Sequence, residues 1–130
     1  VGPAWGNEER LFQVLLNLLM NAAQALDAGA ASSNRVTVRT VEREDRVVVE
    51  VHDTGCGMPP EVVERVFDPF FTTRPIGEGT GLGLSIAKHV LNLHQARLEI
   101  ESEVGVGSTF TCVFGASRLL PLAVADEALP

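Results

Sequence analysis

Residues 74–89 read Arg74-Pro75-Ile76-Gly77-Glu78-Gly79-Thr80-Gly81-Leu82-Gly83-Leu84-Ser85-Ile86-Ala87-Lys88-His89. Glycine holds alternate positions from Gly77 to Gly83; then the glycines stop, and the run from Leu84 to Leu91 takes on helical character. Glycine reaches φ > 0 and lets a ligand come close to the main chain. A glycine-rich loop entering a helix N-terminus presents unpaired N–H groups and the positive end of the helix dipole, a combination that suits phosphate. Taken alone, the loop reads either as the phosphate cradle of a nucleotide site or as a flexible surface segment. The rest of the chain decides between the two.

The 130 residues suffice for one domain with a real core, and 45% apolar content marks a globular chain. A net charge of −7 and a pI near 4.8 argue against a nucleic-acid partner. An acidic chain that binds a polyanion must do so locally, with loop amides and a metal ion. Cys56 and Cys112 stand far apart and suggest neither a zinc site nor a disulfide framework; Cys112, in an alternating strand-like run, is expected in the core. Nothing resembles a signal peptide and no apolar run is long enough to span a bilayer, so the expected location is cytoplasmic. The chain also starts at Val1 in what reads as mid-protein sequence, compatible with the cytosolic portion of a longer membrane protein.

Upstream of the glycine loop, Asn7 can cap a helix with Glu8 and Glu9 in its first turn, running to about Leu26 and closed by Gly29. Leu11, Leu15, Leu18 and Ala22 follow helical spacing and should face a core. Gln13, Asn17, Asn21 and Gln24 form a polar, uncharged stripe beside them. Solvated helix faces usually carry Lys and Glu, so four amides suggest either a ligand surface or a stripe hydrogen-bonded to neighbouring backbone. Residues 35–41 and 46–51 are rich in β-branched residues and should pair as an antiparallel hairpin.

The second strand leads into Asp53-Thr54-Gly55-Cys56-Gly57-Met58, another glycine-rich turn, and Pro59-Pro60 opens a short helix to about Val66. Phe67-Asp68-Pro69-Phe70-Phe71 follows on a loop, then a second long helix from about Leu82 to His94. Residues 97–102 and 109–114 read as strands joined by a turn containing Gly105 and Gly107. Residues 116–130 are apolar but aperiodic, a tail beyond a single folded unit over 1–115. Paired neighbouring strands with separate helices imply an α+β fold: a two-layer sandwich, its sheet mixed but mostly antiparallel, with helices on one face.

The widespread phosphate loops fail here. No lysine follows these glycines as a P-loop requires. The spacing is G-x-G-x-G-x-G, which is neither the dinucleotide fingerprint nor the protein-kinase loop. What remains is an ordered set of four boxes, and these resemble the catalytic, ATP-binding domain of sensor histidine kinases. That family shares the Bergerat fold of the GHKL superfamily with gyrase-type topoisomerases, Hsp90 chaperones and MutL-type ATPases. The N box resembles 17–22 (Asn17 to Ala22), the first glycine box 53–58, the F box 67–71, and the second glycine box 79–84. Gly105-Val106-Gly107-Ser108-Thr109-Phe110 is similar to the turn that closes the adenine pocket.

The resemblance implies roles residue by residue. Asn21 is the Mg²⁺ ligand, an amide oxygen being a hard neutral donor. Asn17 supports the metal–phosphate cluster and counts with Arg74 among the catalytic residues. Gln24 stands where relatives often carry a phosphate-contacting lysine. Asp53 accepts a hydrogen bond from the adenine amino group, favouring ATP over GTP. Gly55 and Gly57 leave room for the base, Met58 lines its pocket, and Ser108 reaches the adenine edge through Asp53 or a water. The segment 67–80 is the ATP lid, with Phe70 its anchor. Gly79, Thr80, Gly81, Leu82, Gly83 and Leu84 cradle phosphate, and Arg74 either meets the γ-phosphate or is an ordinary surface arginine. Lys88 reads as a solvated helix residue.

The amide of Asn17 cannot act as the water-activating base that an acidic residue near this turn supplies in the gyrase, Hsp90 and MutL relatives. That favours phosphoryl transfer to a positioned acceptor, in this family a histidine on a separate dimerisation domain, with a response regulator downstream. His52, His89 and His94 lie in no acceptor-like setting and are expected to be structural or surface residues. The isolated domain is expected to be monomeric and not to autophosphorylate. A non-catalytic, nucleotide-gated interaction module and an anti-sigma-type serine kinase remain open as alternatives.

Overall fold

The computed structural model describes residues 8–26, 33–72 and 81–115. Helix α1 (Glu8–Ala25) is followed by strands β1 (Val36–Arg43) and β2 (Arg46–Asp53) and the short helix α2 (Pro60–Val63). Helix α3 (Gly83–Leu93) and strands β3 (Arg97–Glu103) and β4 (Gly107–Gly115) complete the order. The four strands form one sheet in the order β1-β2-β4-β3, every neighbouring pair antiparallel. The expected α+β layering is therefore present, and the described sheet has no parallel member.

The β1–β2 hairpin turns over two residues, Glu44 and Asp45, with Arg43 opposite Arg46. Glu44 takes φ 53, because a two-residue hairpin loop needs left-handed backbone to match the strand twist. Along β2, Val47, Val49, Val51 and Asp53 share one face, and their partners Phe114, Cys112, Phe110 and Ser108 share it from β4. This face packs beneath α1 and α3. Val14, Leu18 and Ala22 of α1 join Ala87, Val90 and Leu91 of α3 in one buried cluster with Val47, Val51, Phe110, Cys112 and Phe114. Burial pushes the Cys112 thiol up to about 12, so it behaves as a small apolar residue.

The other face is polar, with Arg39 bonded to Glu50 across the hairpin at 3.1 Å. Among the described residues, helices thus cover one face only. Among the described residues, no helix is long and apolar enough to cross a membrane.

Several boundaries differ from the sequence-based expectation for identifiable reasons. In α1, Val14 is fully buried while Leu15 is only partly so, because the buried stripe runs Val14, Leu18, Ala22 at steps of four. Helix α2 stops at Val63; beyond it Arg65 N–H bonds the Val62 carbonyl and Val66 N–H that of Val63, tighter i to i+3 turns. Helix α3 ends without glycine. Gln95 takes φ 58, and the Ala96 N–H reaches back to the Leu91 carbonyl while Gln95 N–H bonds that of Asn92, a Schellman closure. Asn7 and Gly29, expected to bound α1, and the tail 116–130 lie outside the described residues.

Candidate functional site

Asp53 is the last residue of the apolar stripe on β2, where alternation places a carboxylate on the core face. It is fully buried. The Gly55 N–H donates to its Oδ1 at 2.8 Å, and Oδ2 has no hydrogen-bond partner among the described residues. Desolvation raises the Asp53 pKa above its ordinary 3.8; the Gly55 and Ser108 N–H groups and the neighbouring His52 pull the other way and do not overcome it. A buried carboxylate oxygen without a donor is costly. It is the feature expected where an external N–H group completes the site.

Main chain packs closely around this carboxylate. A Cβ on Gly55 would overlap the Ala25 carbonyl at the end of α1, and Cys56 N–H bonds that same carbonyl at 3.1 Å. Gly57 takes φ 71, and a Cβ there would overlap the Glu103 carbonyl oxygen; Gly105 N–H bonds the Cys56 carbonyl at 2.8 Å. The Asp53 turn is thereby stitched both to α1 and to the β3–β4 turn. Met58, packed against the core, donates its N–H to Ser102 Oγ at 2.8 Å. Ser102 Oγ in turn lies 2.7 Å from Ser108 Oγ. Ser108 thus stands opposite Asp53 in the sheet while its hydroxyl is held by Ser102.

The amide stripe begins with Gln13, whose Nε2 donates to Asn17 Oδ1 at 3.1 Å. Asn17 Nδ2 donates to the Gly83 carbonyl at 3.1 Å. Asn17 is therefore a strut between α1 and the first turn of α3, engaged at both ends. Asn21 is half-buried and Gln24 exposed on the turns that follow. At α3, the first intrahelical bond runs from Ile86 N–H to the Leu82 carbonyl, and Ser85 Oγ caps the same carbonyl at 3.0 Å. The N–H groups of Gly83, Leu84 and Ser85 precede that bond and so have no intrahelical carbonyl partner.

The two flanks of the lid segment meet at this end. Phe70 N–H bonds the Gly81 carbonyl at 2.7 Å, Phe70 takes φ 69, and Gly81 at φ 72 has no room for a Cβ against the Phe70 backbone. Phe70 anchors by main chain; its ring is 73% exposed. Phe67 is the F-box ring that packs on the core.

Lys88 is not a free solvated residue. Its Nζ sits 5.2 Å from the Phe67 ring centroid, tying α3 to the F box. Arg74, Gly79 and Thr80 lie outside the described residues. Among the histidines, His52 Nδ1 pairs with Thr109 Oγ1 at 2.8 Å and His94 Nδ1 with the Val90 carbonyl at 2.8 Å, both structural contacts.

Sequence reasoning missed Ser102 and Ala25. Ala25 acts through its carbonyl and carries no side-chain signal; Ser102 was visible only as a polar residue interrupting the inward stripe Leu98, Ile100 of β3.

A family model described as histidine kinase-, DNA gyrase B- and HSP90-like ATPase matches residues 6–118. The chain belongs to that ATPase family. Within it, the chain is similar to the sensor kinase CckA of Brucella abortus, 39% identical over 89% of this chain. It also resembles the solved mycobacterial sensor histidine kinase MprB, with TM-score 0.73, 30% identity, and coverage of 85% of this chain and 73% of that one. A third likeness is full-length ShkA solved in complex with AMPPNP, with TM-score 0.75, 28% identity, and coverage of 89% of this chain and 24% of that one. This is the ATP-binding catalytic domain of the sensor-histidine-kinase type. The chain spans 13% of the CckA relative and 18% of a second, AtoS of Escherichia coli.

Proposed function

We propose that this domain binds Mg²⁺-ATP and delivers the γ-phosphoryl group to a histidine on a separate dimerisation domain of a longer sensor kinase. The observation that carries the reading is the buried Asp53 Oδ2 without a donor. An adenine amino group supplies the missing hydrogen, whereas guanine places a carbonyl at the corresponding ring position and leaves two acceptors facing each other. Gly55 and Gly57 give the flat base its room beside Met58. The donors at the start of α3, with Gly81, Leu82, Gly83 and Leu84, are assigned to the phosphates; Gly79, Thr80 and Arg74 share that assignment by family resemblance alone.

Among the described residues no group of three or more His, Cys, Asp or Glu side chains converges as a metal site. The protein's own donor set for Mg²⁺ is therefore sparse: the Asn21 amide oxygen would hold the ion, and phosphate oxygens and water would supply its other ligands. Held there, such an ion would supply charge neutralisation at the phosphates. Asn17 holds the two helices in register and, as an amide, offers no base for hydrolysis. In the transfer itself the bond from Pγ to the β–γ bridging oxygen breaks, a Pγ–N bond to the acceptor imidazole forms, and ADP and the imidazole proton leave. The domain's contribution is positioning and charge neutralisation.

The partners that follow are the kinase's own dimerisation domain and a response regulator, with the isolated domain monomeric and on the cytoplasmic side. The test is calorimetry with Mg²⁺-ATP on this chain, on Asn21→Ala and on Asp53→Ala, followed by addition of a cognate histidine-bearing domain. Binding by the parent chain, its loss in both variants and acid-labile phosphate on the added domain are expected. Acid-stable phosphate on a protein partner would indicate a serine kinase instead, and binding without transfer would indicate an interaction module.

A further inference from the structure

We infer that Ser102, on β3, is a positioning residue for adenine recognition; this rests on the nucleotide reading above. Along the inward face of β3, Leu98 and Ile100 pack on the core, and the next position on that face is Ser102, opposite Ser108 of β4. An apolar residue would continue the stripe. The hydroxyl instead gathers three polar contacts from three places. It accepts the Met58 N–H at 2.8 Å, lies 2.7 Å from Ser108 Oγ, and donates toward the Gly107 carbonyl at 3.3 Å. No other side chain among the described residues is shown bonding both the turn that follows Asp53 and the strand that pairs with it.

Those contacts bracket the base site. Met58 closes the 53–58 turn, and Ser108 sits directly opposite Asp53 in the β2–β4 register. Gly107 backs onto the Asp53 carbonyl, with no room for a Cβ between them. Ser102 thus fixes the distance between the wall that carries Met58 and the strand that aims Asp53. It does not touch the base. Its effect falls on the geometry with which a base amino group meets Oδ2, so it separates nucleotides that use Oδ2 from those that do not.

The test compares Mg²⁺-ATP with Mg²⁺-purine riboside triphosphate, which lacks the amino group, by calorimetry on this chain and on Ser102→Ala, Ser102→Cys and Ser102→Thr. Removing the hydroxyl should weaken ATP binding about tenfold, the size of one well-placed hydrogen bond, and weaken the amino-free nucleotide less than twofold. Ser102→Cys keeps the volume, loses the strong acceptor and should follow Ser102→Ala, which covers the case that the alanine variant fails to fold. Ser102→Thr retains the hydroxyl and should restore ATP binding. Equal weakening of both nucleotides, or unchanged ATP binding in Ser102→Cys, would overturn the inference and leave the nucleotide reading intact. Failure of the parent chain to bind either nucleotide would overturn both.

Discussion

The two ends of the site are built differently. At the proposed base end, the Asp53 turn is held mostly by main chain: the Ala25 and Arg35 carbonyls, Glu103 at the end of β3 and Gly105 beyond it bond or abut residues 54–58, and the Ser102 hydroxyl adds a side-chain contact. At the proposed phosphate end, above the packed core, Asn17 of α1 bonds the Gly83 carbonyl of α3, and the Phe70 N–H bonds the Gly81 carbonyl across residues 71–80. Recognition of a base calls for fixed geometry, since a hydrogen bond loses most of its value when misaligned. Phosphoryl transfer calls for an end that can close on its acceptor and release it. Under the function proposed above, the contrast puts selectivity at the first end and turnover at the second.

The sharpest way to break the contrast is at Gly57. Its φ of 71 and the Glu103 carbonyl behind it leave no place for a side chain. Gly57→Ala should destabilise the domain by about 3 kcal/mol or more through left-handed strain plus overlap, read as a drop in thermal midpoint, and should abolish nucleotide binding. An equal loss from Gly83→Ala, where a Cβ would make only ordinary contact with Asn17 at 3.9 Å, would erase the distinction between the ends.

Next in size is Asp53→Asn. ATP binding should fall about 10- to 100-fold, the worth of a hydrogen bond to a charged acceptor. Stability should move the opposite way, up by about 1 kcal/mol at neutral pH, because a desolvated charge is removed. The pH dependence follows in sign. The folded pKa lies above the ordinary 3.8, so the folded chain binds this proton more tightly. The stability contributed is fully present below 3.8 and is lost as pH rises through the raised folded value. ATP affinity runs the other way, weakening as pH falls through that same raised value when Oδ2 gains a proton. Urea titrations and calorimetry across pH 3.5–7 would check both, with Asp53→Asn flattening each profile.

Much of this was legible before any coordinates. The four boxes gave the fold class, and Asp53, at a strand end between β-branched residues and Gly-x-Gly, stood out as a candidate side chain for the base. What alternation could not show was that a carboxylate would continue the buried stripe, since a charged residue at that position reads as solvated. Main-chain contacts leave no mark on sequence, which hid Ala25 and the Phe70–Gly81 bond. Lys88 was misread because its partner, Phe67, lies 21 positions away, beyond any local pattern.

A smaller effect is expected at Asn17, the link across the phosphate end. Asn17→Ala deletes the bond to Gly83 and the acceptor for Gln13, a loss of about 1 kcal/mol in stability. If the strut serves turnover, transfer to the histidine domain should fall about tenfold while the affinity for adenosine, which reaches only the base end, stays within twofold. A proportional fall in adenosine affinity would mean that the two ends are mechanically one.

The smallest expected change separates ring from backbone at Phe70. With the ring 73% exposed and its N–H bonded to Gly81, Phe70→Ala keeps the main-chain bond and should alter nucleotide-free stability by no more than about 0.5 kcal/mol. Phe70→Pro deletes the N–H and cannot adopt φ 69, so it should cost about 3 kcal/mol locally and loosen the approach of the two lid flanks. Hydrogen exchange at the Gly81 and Leu82 amides would report that loosening directly. Exchange in Phe70→Ala as fast as in Phe70→Pro would show that the aromatic ring, and not the peptide group, holds the lid's flanks together.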